Sequence, residues 1–230
     1  MVGAKYRFRF RKCGALRFLS HHDLVRCLGR MIRRAALPVR MTGGFHPQPR
    51  IVFPLSLPLG IIGQCEPLEL ELTDDLPDDD LLRRLQAEAP DGFDLLSISR
   101  IGAKVTGIPC RADYRLPLPP EACLDLPDRC QALRAMPDLF VERRHPQPRR
   151  VNIRPYVLEL LAGPDGLAMQ LRVTPTGAAR ADEVADALGL LPWLRAGAVL
   201  ERTHVDLIDE TATADLPDQP LESSATVIDC

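Results

Sequence analysis

Residues 4–11 alternate without a break, with Tyr6, Phe8 and Phe10 on one side and Arg7, Arg9 and Arg11 on the other. A period of two predicts a half-buried strand whose wet face carries an exposed basic ladder. Cys13 and Gly14 then turn the chain, and the period changes. Leu24, Val25, Leu28, Met31, Ile32 and Ala35 recur at helical spacing, covering about a third of the circumference at 100° per residue. Arg26, Arg30, Arg33 and Arg34 fall opposite them. Ser20 is suited to N-cap this helix and Asp23 to complete a capping box. Pro38 requires the helix to end before it, because the residue preceding a proline avoids helical angles.

Residues 39–41 read as a short strand, and Gly43–Gly44 as a turn. Residues 45–50 must be extended, since Pro47 and Pro49 fix their own φ and constrain their predecessors. The apolar run 51–63 is broken by Pro54, Pro58, Gly60 and Gly63, so an irregular edge or packed loop is expected. Residues 67–73 alternate as a strand, 78–89 form a helix with an acidic first turn, and 93–101 form another strand. The second half is expected to place strands at 112–116, 139–143, 151–161, 167–174 and 199–208, with helices at 127–135 and about 181–188.

The pentapeptide His-Pro-Gln-Pro-Arg occurs at 46–50 and again at 145–149, in comparable places in the two halves. The expected fold is α+β, with two tandem ferredoxin-like (split βαβ) domains and antiparallel sheets. Their expected bounds are 1–103 and 104–209, followed by a disordered acidic tail at 210–230.

Charge changes this picture more than composition does. The chain of 230 residues has a net charge of −2, but residues 1–50 hold 12 Lys and Arg against one acid, Asp23, for +11. Residues 51–230 hold 17 against 30, for −13. An N-terminal half that faces a polyanion is the natural expectation. The seven cysteines have no CxxC or CxxxCxxC spacing, which argues against zinc ribbons and iron–sulfur clusters. Scattered, odd-numbered thiols read as reduced and cytoplasmic. There is no signal-peptide pattern and no apolar run of membrane-spanning length. No metal, cofactor or membrane is expected, and oligomeric state is left open.

The candidate RNA-binding residues are Arg7, Arg9, Arg26, Arg30, Arg33, Arg50, Arg144, Arg149, Arg150 and Arg154. Guanidinium forks match phosphate oxygens, and grooves lined by them track single strands. The two basic clusters are expected to line a groove between the domains; the alternative is that exposed arginines merely solubilise. His21 and His22 occupy a first helical turn, where the helix dipole disfavours a protonated imidazole. That suits a phosphate donor or a general base, or else a packed His21 and a solvated His22. His46, between a double glycine and a proline, is a site candidate or a turn residue bonded to backbone. Glu69 and Glu71 share a strand face, and Asn152, Arg154 and Tyr156 are further contact candidates. No Ser-His-Asp elbow, Walker loop, GxGxxG or HExxH occurs.

Phe18-Leu19-Ser20-His21-His22-Asp23-Leu24, the arginine helix, and Gly44-Phe45-His46-Pro47-Gln48-Pro49-Arg50-Ile51 resemble the bacterial radical-SAM-linked protein family, domain of unknown function 2344. Ser20, His21, Asp23, Gly44, Phe45, His46, Pro47, Pro49 and Arg50 match its motifs. His22 and Gln48 depart from them, and Asn152 stands where the family has Asp. The resemblance covers about residues 4–208. It implies a partner, a B12-binding radical SAM protein, and a genomic setting near ribosome- and RNA-processing genes. This chain lacks the cluster motif, so the resemblance implies a non-catalytic companion that holds a tRNA or rRNA substrate. The tandem plan resembles, more distantly, RAMP proteins of CRISPR systems. That resemblance implies the alternative of a metal-independent endoribonuclease using His21 or His46. A third expectation is a docking scaffold for the radical SAM partner.

Overall fold

The computed structural model describes residues 3–144 and 147–210. It is a mixed α+β protein dominated by antiparallel sheet, with few helices. Its chain divides into two compact units: one runs to Ile108 and resumes at Leu207, the other is Pro109–Asp206. Of the expected tail 210–230, only Glu210 belongs to the described residues.

The first unit contains β1 (Lys5–Lys12), α1 (His21–Arg34), β2 (Ile51–Val52), β3 (Ile62–Glu71), α2 (Asp78–Gln86) and β4 (Phe93–Ile101). The strands lie in the order β4-β1-β3-β2, and every pair is antiparallel. The alternation of β1 directs Tyr6, Phe8 and Phe10 into a core shared with Leu24, Leu28, Met31 and Ile32 of α1 and Leu81 and Leu85 of α2. Phe10 stacks on Phe93 at 4.9 Å.

The helix ends obey the physics of unsatisfied backbone groups. Ser20 Oγ accepts from the Asp23 amide at 3.2 Å and donates to Asp23 Oδ2 at 2.7 Å. At the other end Ala36 turns left-handed, with φ of 48°. There Arg84 of α2 donates to the Ala35 and Ala36 carbonyls at 2.6 and 2.7 Å.

Several expected elements differ. Residues 39–41 form isolated bridges, Val39 to Leu72 and Met41 to Pro49, rather than a strand. β3 starts five residues before the expected 67, at Ile62. The expected helix 78–89 stops at Gln86.

The second unit contains β5 (Pro109–Pro117), α3 (Pro120–Cys123), α4 (Leu126–Ala135), β6 (Phe140–Arg143), β7 (Arg149–Asn152), β8 (Val157–Gly163), β9 (Gly166–Thr174), β10 (Gly177–Ala178), α5 (Ala181–Ala187), α6 (Leu191–Arg195) and β11 (Glu201–Leu207). β5 lies between β9 and β11, with β8 and β10 also on β9. Ala112, Tyr114 and Leu116 face the core opposite Leu171, Met169 and Leu167.

The expected strand 151–161 is broken by a 3-10 turn, Arg154–Tyr156, at Pro155. Its first part, β7, pairs only with β6 in a separate two-stranded sheet. The two pentapeptides therefore have different settings: the first leads into β2 on β3, whereas the second ends in this detached hairpin. His145 and Pro146 lie outside the described residues.

Candidate functional site

α1 buries Leu24, Cys27, Leu28, Met31 and Ile32 and leaves Arg26, Arg30, Arg33 and Arg34 exposed. Arg26 is loosely tied to Asp23 at 3.4 Å. His21 is exposed, edge-on to Phe53 with ring centres 5.2 Å apart, and His22 stands beside it at 5.8 Å.

Next to α1 the chain doubles back as a narrow hairpin. The Arg50 amide donates to the Arg40 carbonyl at 2.8 Å and the Thr42 amide to the Gln48 carbonyl at 2.8 Å. The Gln48 amide in turn donates to Thr42 Oγ1 at 3.0 Å. Gly44, with φ of 109°, makes the bend that a side chain would strain. Phe45 at the tip is 100% exposed, and Gly43, Gly44 and His46 are exposed with it. Pro49 anchors the hairpin against α1, its Cγ 4.0 Å from where a Cβ on Gly29 would lie. Arg50 is half exposed and holds Glu71 Oε2 at 3.1 Å, so it ties the hairpin to β3.

The expected exposed ladder on β1 is corrected at Arg7 and Arg9, whereas Arg11 is exposed. Arg7 is 3% exposed and Arg9 is buried. Lys5 Nζ and Arg7 Nη2 each lie 2.7 Å from a Glu69 oxygen, and the Gly107 amide donates to Glu69 Oε1 at 2.7 Å. Arg7 Nη1 also meets Asp209 at 2.7 Å and Glu210 at 3.0 Å, and Arg9 pairs with Glu210. The segments 105–108 and 207–210 cover this face of β1, so its cations are met by carboxylates. Burial alone would push the Glu69 carboxyl up; hydrogen bonds from Lys5, Arg7 and the Gly107 amide reverse this and hold it below its ordinary value. Burial would likewise push Arg7 down, and hydrogen bonds to Asp209 and Glu69 raise it instead.

Arg154 is corrected in the same way. Its guanidinium donates to the Met136, Val157 and Arg134 carbonyls at 3.1, 2.9 and 2.8 Å, fastening the 3-10 turn. Asn152 accepts from the Leu139 and Arg154 amides and donates to Asp138, so it too is a turn residue. Arg143 is held by Glu183 and the Ala178 carbonyl. Arg144, Arg149 and Arg150 are exposed, with Arg150 4.1 Å over the Phe140 ring.

The structure leaves Arg26, Arg30, Arg33, Phe45, His46 and the pair His21 and His22 exposed in the first unit. It keeps Arg144, Arg149 and Arg150 exposed in the second and withdraws Arg7, Arg9 and Arg154. Sequence reasoning missed Asp209 and Glu210 as internal partners, and it gave Glu69 and Glu71 no cations. A signal existed for Glu69, which sits on a strand that can pair with the Lys5 and Arg7 ladder, whereas Glu71 is met by Arg40 and Arg50 of the hairpin.

Elsewhere in the second unit, Asp113, Arg115, Glu159, Gln170 and Thr203 line a concavity of 460 Å³. Burial pushes the Asp113 carboxyl up there, opposed by Arg111 and reinforced by Asp206. Among the described residues no group of three or more His, Cys, Asp and Glu side chains is placed to hold a metal ion. The six described cysteines are free thiols. No described helix is long and apolar enough to cross a membrane.

Fold and surface together define an α+β protein whose N-terminal unit bears a one-sided cationic helix. The chain belongs to the DUF2344 family, described as an uncharacterized protein conserved in bacteria, whose model matches residues 5–181. No curated protein matches it. Among solved structures, an unknown protein from Galdieria sulphuraria is similar over 90% of this chain and 99% of that one. At 11% identity and a TM-score of 0.27, that likeness supports no argument.

Proposed function

We propose that the chain is an accessory RNA-binding module for tRNA or rRNA, working in the cytoplasm with a separately encoded B12-binding radical SAM enzyme and performing no catalysis itself. The observation that carries the RNA reading is the predominantly cationic exposed face of α1. Arg30, Arg33 and Arg34 are exposed, set against one helix carboxylate, Asp23, which is tied to Arg26, and against Glu88, which lines a concavity with Arg30 and Arg34. Such an array offers guanidinium forks to the phosphate oxygens of a polyanion. Support for the radical SAM partner comes from the motif resemblance together with the absence of a cluster motif in this sequence. We read both units as split βαβ folds of the ferredoxin-like kind. That reading is supported by the order fourth, first, third, second among the main strands of each unit.

The test is the salt dependence of single-stranded RNA binding. Replacing Arg26, Arg30 and Arg33 together with Ala should flatten the log Kd against log salt slope by about 2, at about 0.7 per phosphate contact. A slope equal to the parent's removes α1 from the interface.

The exposed setting of His21 and His46 in the same unit sustains a second reading, RAMP-like endoribonuclease activity. Pure protein incubated with RNA, with and without chelator, decides it; RNA that is bound but uncut dismisses it. A docking scaffold would instead co-purify with the radical SAM protein and show no affinity for RNA.

A further inference from the structure

We propose that Phe45 is a base-stacking arm: the hairpin tip takes an unpaired nucleobase on its aromatic face while α1 holds the neighbouring phosphates. The substrate is thereby an unpaired stretch of RNA rather than a duplex. This deepens the RNA-binding reading and rests on it.

Phe45 is the most exposed of the large apolar side chains among the described residues, at 100%. It is in the same unit as a well-formed core that already contains Phe8, Phe10 and Phe93. An aromatic ring left wholly in water contributes nothing to folding, and it is supplied here by a tied hairpin rather than a loose end. The pairing of Thr42 with Gln48 and Arg40 with Arg50 closes the hairpin below the tip. Two prolines stiffen one arm, which lowers the entropy lost when the tip orders on a ligand.

Position decides the partner. The hairpin meets α1 at Gly29 through Pro49. At 100° per residue, His22, Arg26 and Arg33 all fall within about 60° of Gly29 around the helix. The base of the hairpin therefore meets α1 beside its cationic face, and Phe45 is four residues from that contact, inside the acid-free stretch 24–65. An aromatic platform flanked by guanidinium groups is what a single strand requires: a ring for the base and cations for the backbone. A duplex keeps its bases stacked on one another and offers Phe45 no face.

The probes are a short oligouridine, an abasic strand of equal length and an RNA duplex, titrated into the full chain. Phe45→Ala, at a fully exposed site, should weaken oligouridine binding about tenfold. It should leave the salt slope and the affinity for the abasic strand unchanged. Phe45→Trp should retain binding, and its emission should be quenched by oligouridine but not by the duplex. If Phe45→Ala binds oligouridine like the parent while the triple arginine variant loses its slope, stacking is overturned and the RNA reading stands. If the parent binds none of the three probes, both are overturned.

Discussion

Glu69 has no side-chain surface in solvent, yet it faces Lys5, Arg7 and the Gly107 amide. A carboxylate so placed is fixed by its partners and not by its desolvation. Removing its charge leaves Lys5 and Arg7 buried with too little negative charge around them. Glu69→Gln should therefore lower stability by about 3–5 kcal/mol at neutral pH, read by denaturant titration. The sign of the pH effect follows from the lowered pKa. In the unfolded chain the group titrates near its ordinary value of 4.5, and in the fold it titrates lower. Its stabilisation is thus complete above the unfolded value and fades as pH falls through the folded one. Parent and variant should accordingly converge in stability on acidification below about pH 4.5. A gap that stays constant down to pH 3 would show that Glu69 acts through packing alone.

At the scale of elements, α1 shows both what short-range pattern reveals and what it conceals. Ser20, the apolar repeat from Leu24 to Ala35 and Pro38 are near neighbours whose effects are local, so start, face and end of the helix were readable. The exposed arginines of α1 were readable for the same reason, and with them the part of the candidate site that the structure keeps. The fate of Arg7 was not. Its partners Glu69 and Asp209 are 62 and 202 residues away, and alternation alone cannot distinguish a solvated face from a face covered by distant chain. Likewise the strand expected over 151–161 ran through Pro155, where the structure breaks it, and the docking of Arg154 depended on where α4 ends.

One local feature remains strained. Ala36 is the sole non-glycine with positive φ among the described residues, at the turn that ends α1. The Leu37 amide still reaches the Ile32 carbonyl at 3.2 Å, so the turn closes as helix ends with a left-handed residue do. Ala36→Gly should relieve the Cβ penalty and stabilise the protein by about 1 kcal/mol, measurable as a raised denaturation midpoint. No change would mean that Arg84, which holds the Ala35 and Ala36 carbonyls, already fixes the turn whatever residue occupies it.

Across the whole molecule, arginine serves two separate purposes. Arg7, Arg9, Arg143 and Arg154 are turned inward onto carboxylates and carbonyls. Arg30, Arg33, Arg149 and Arg150 stand at the surface. The net charge of the N-terminal stretch therefore overstates its capacity for a polyanion, because part of the +11 is neutralised by Glu69, Asp209 and Glu210 within the same unit. The two sets should separate cleanly by experiment. Arg7→Ala removes one of the two cations on buried Glu69 and a cation shared by Asp209 and Glu210, so it should cost about 3–5 kcal/mol while leaving the salt slope of RNA binding as it was. Arg33→Ala breaks no internal pair of comparable burial. It should leave the denaturation midpoint in place and flatten the slope by about 0.7. Denaturant titration and salt-dependent binding on both variants give four numbers. If Arg7→Ala changes the slope as much as Arg33→Ala does, the covering segments 105–108 and 207–210 must open to admit the strand, and the buried face of β1 belongs to the interface after all.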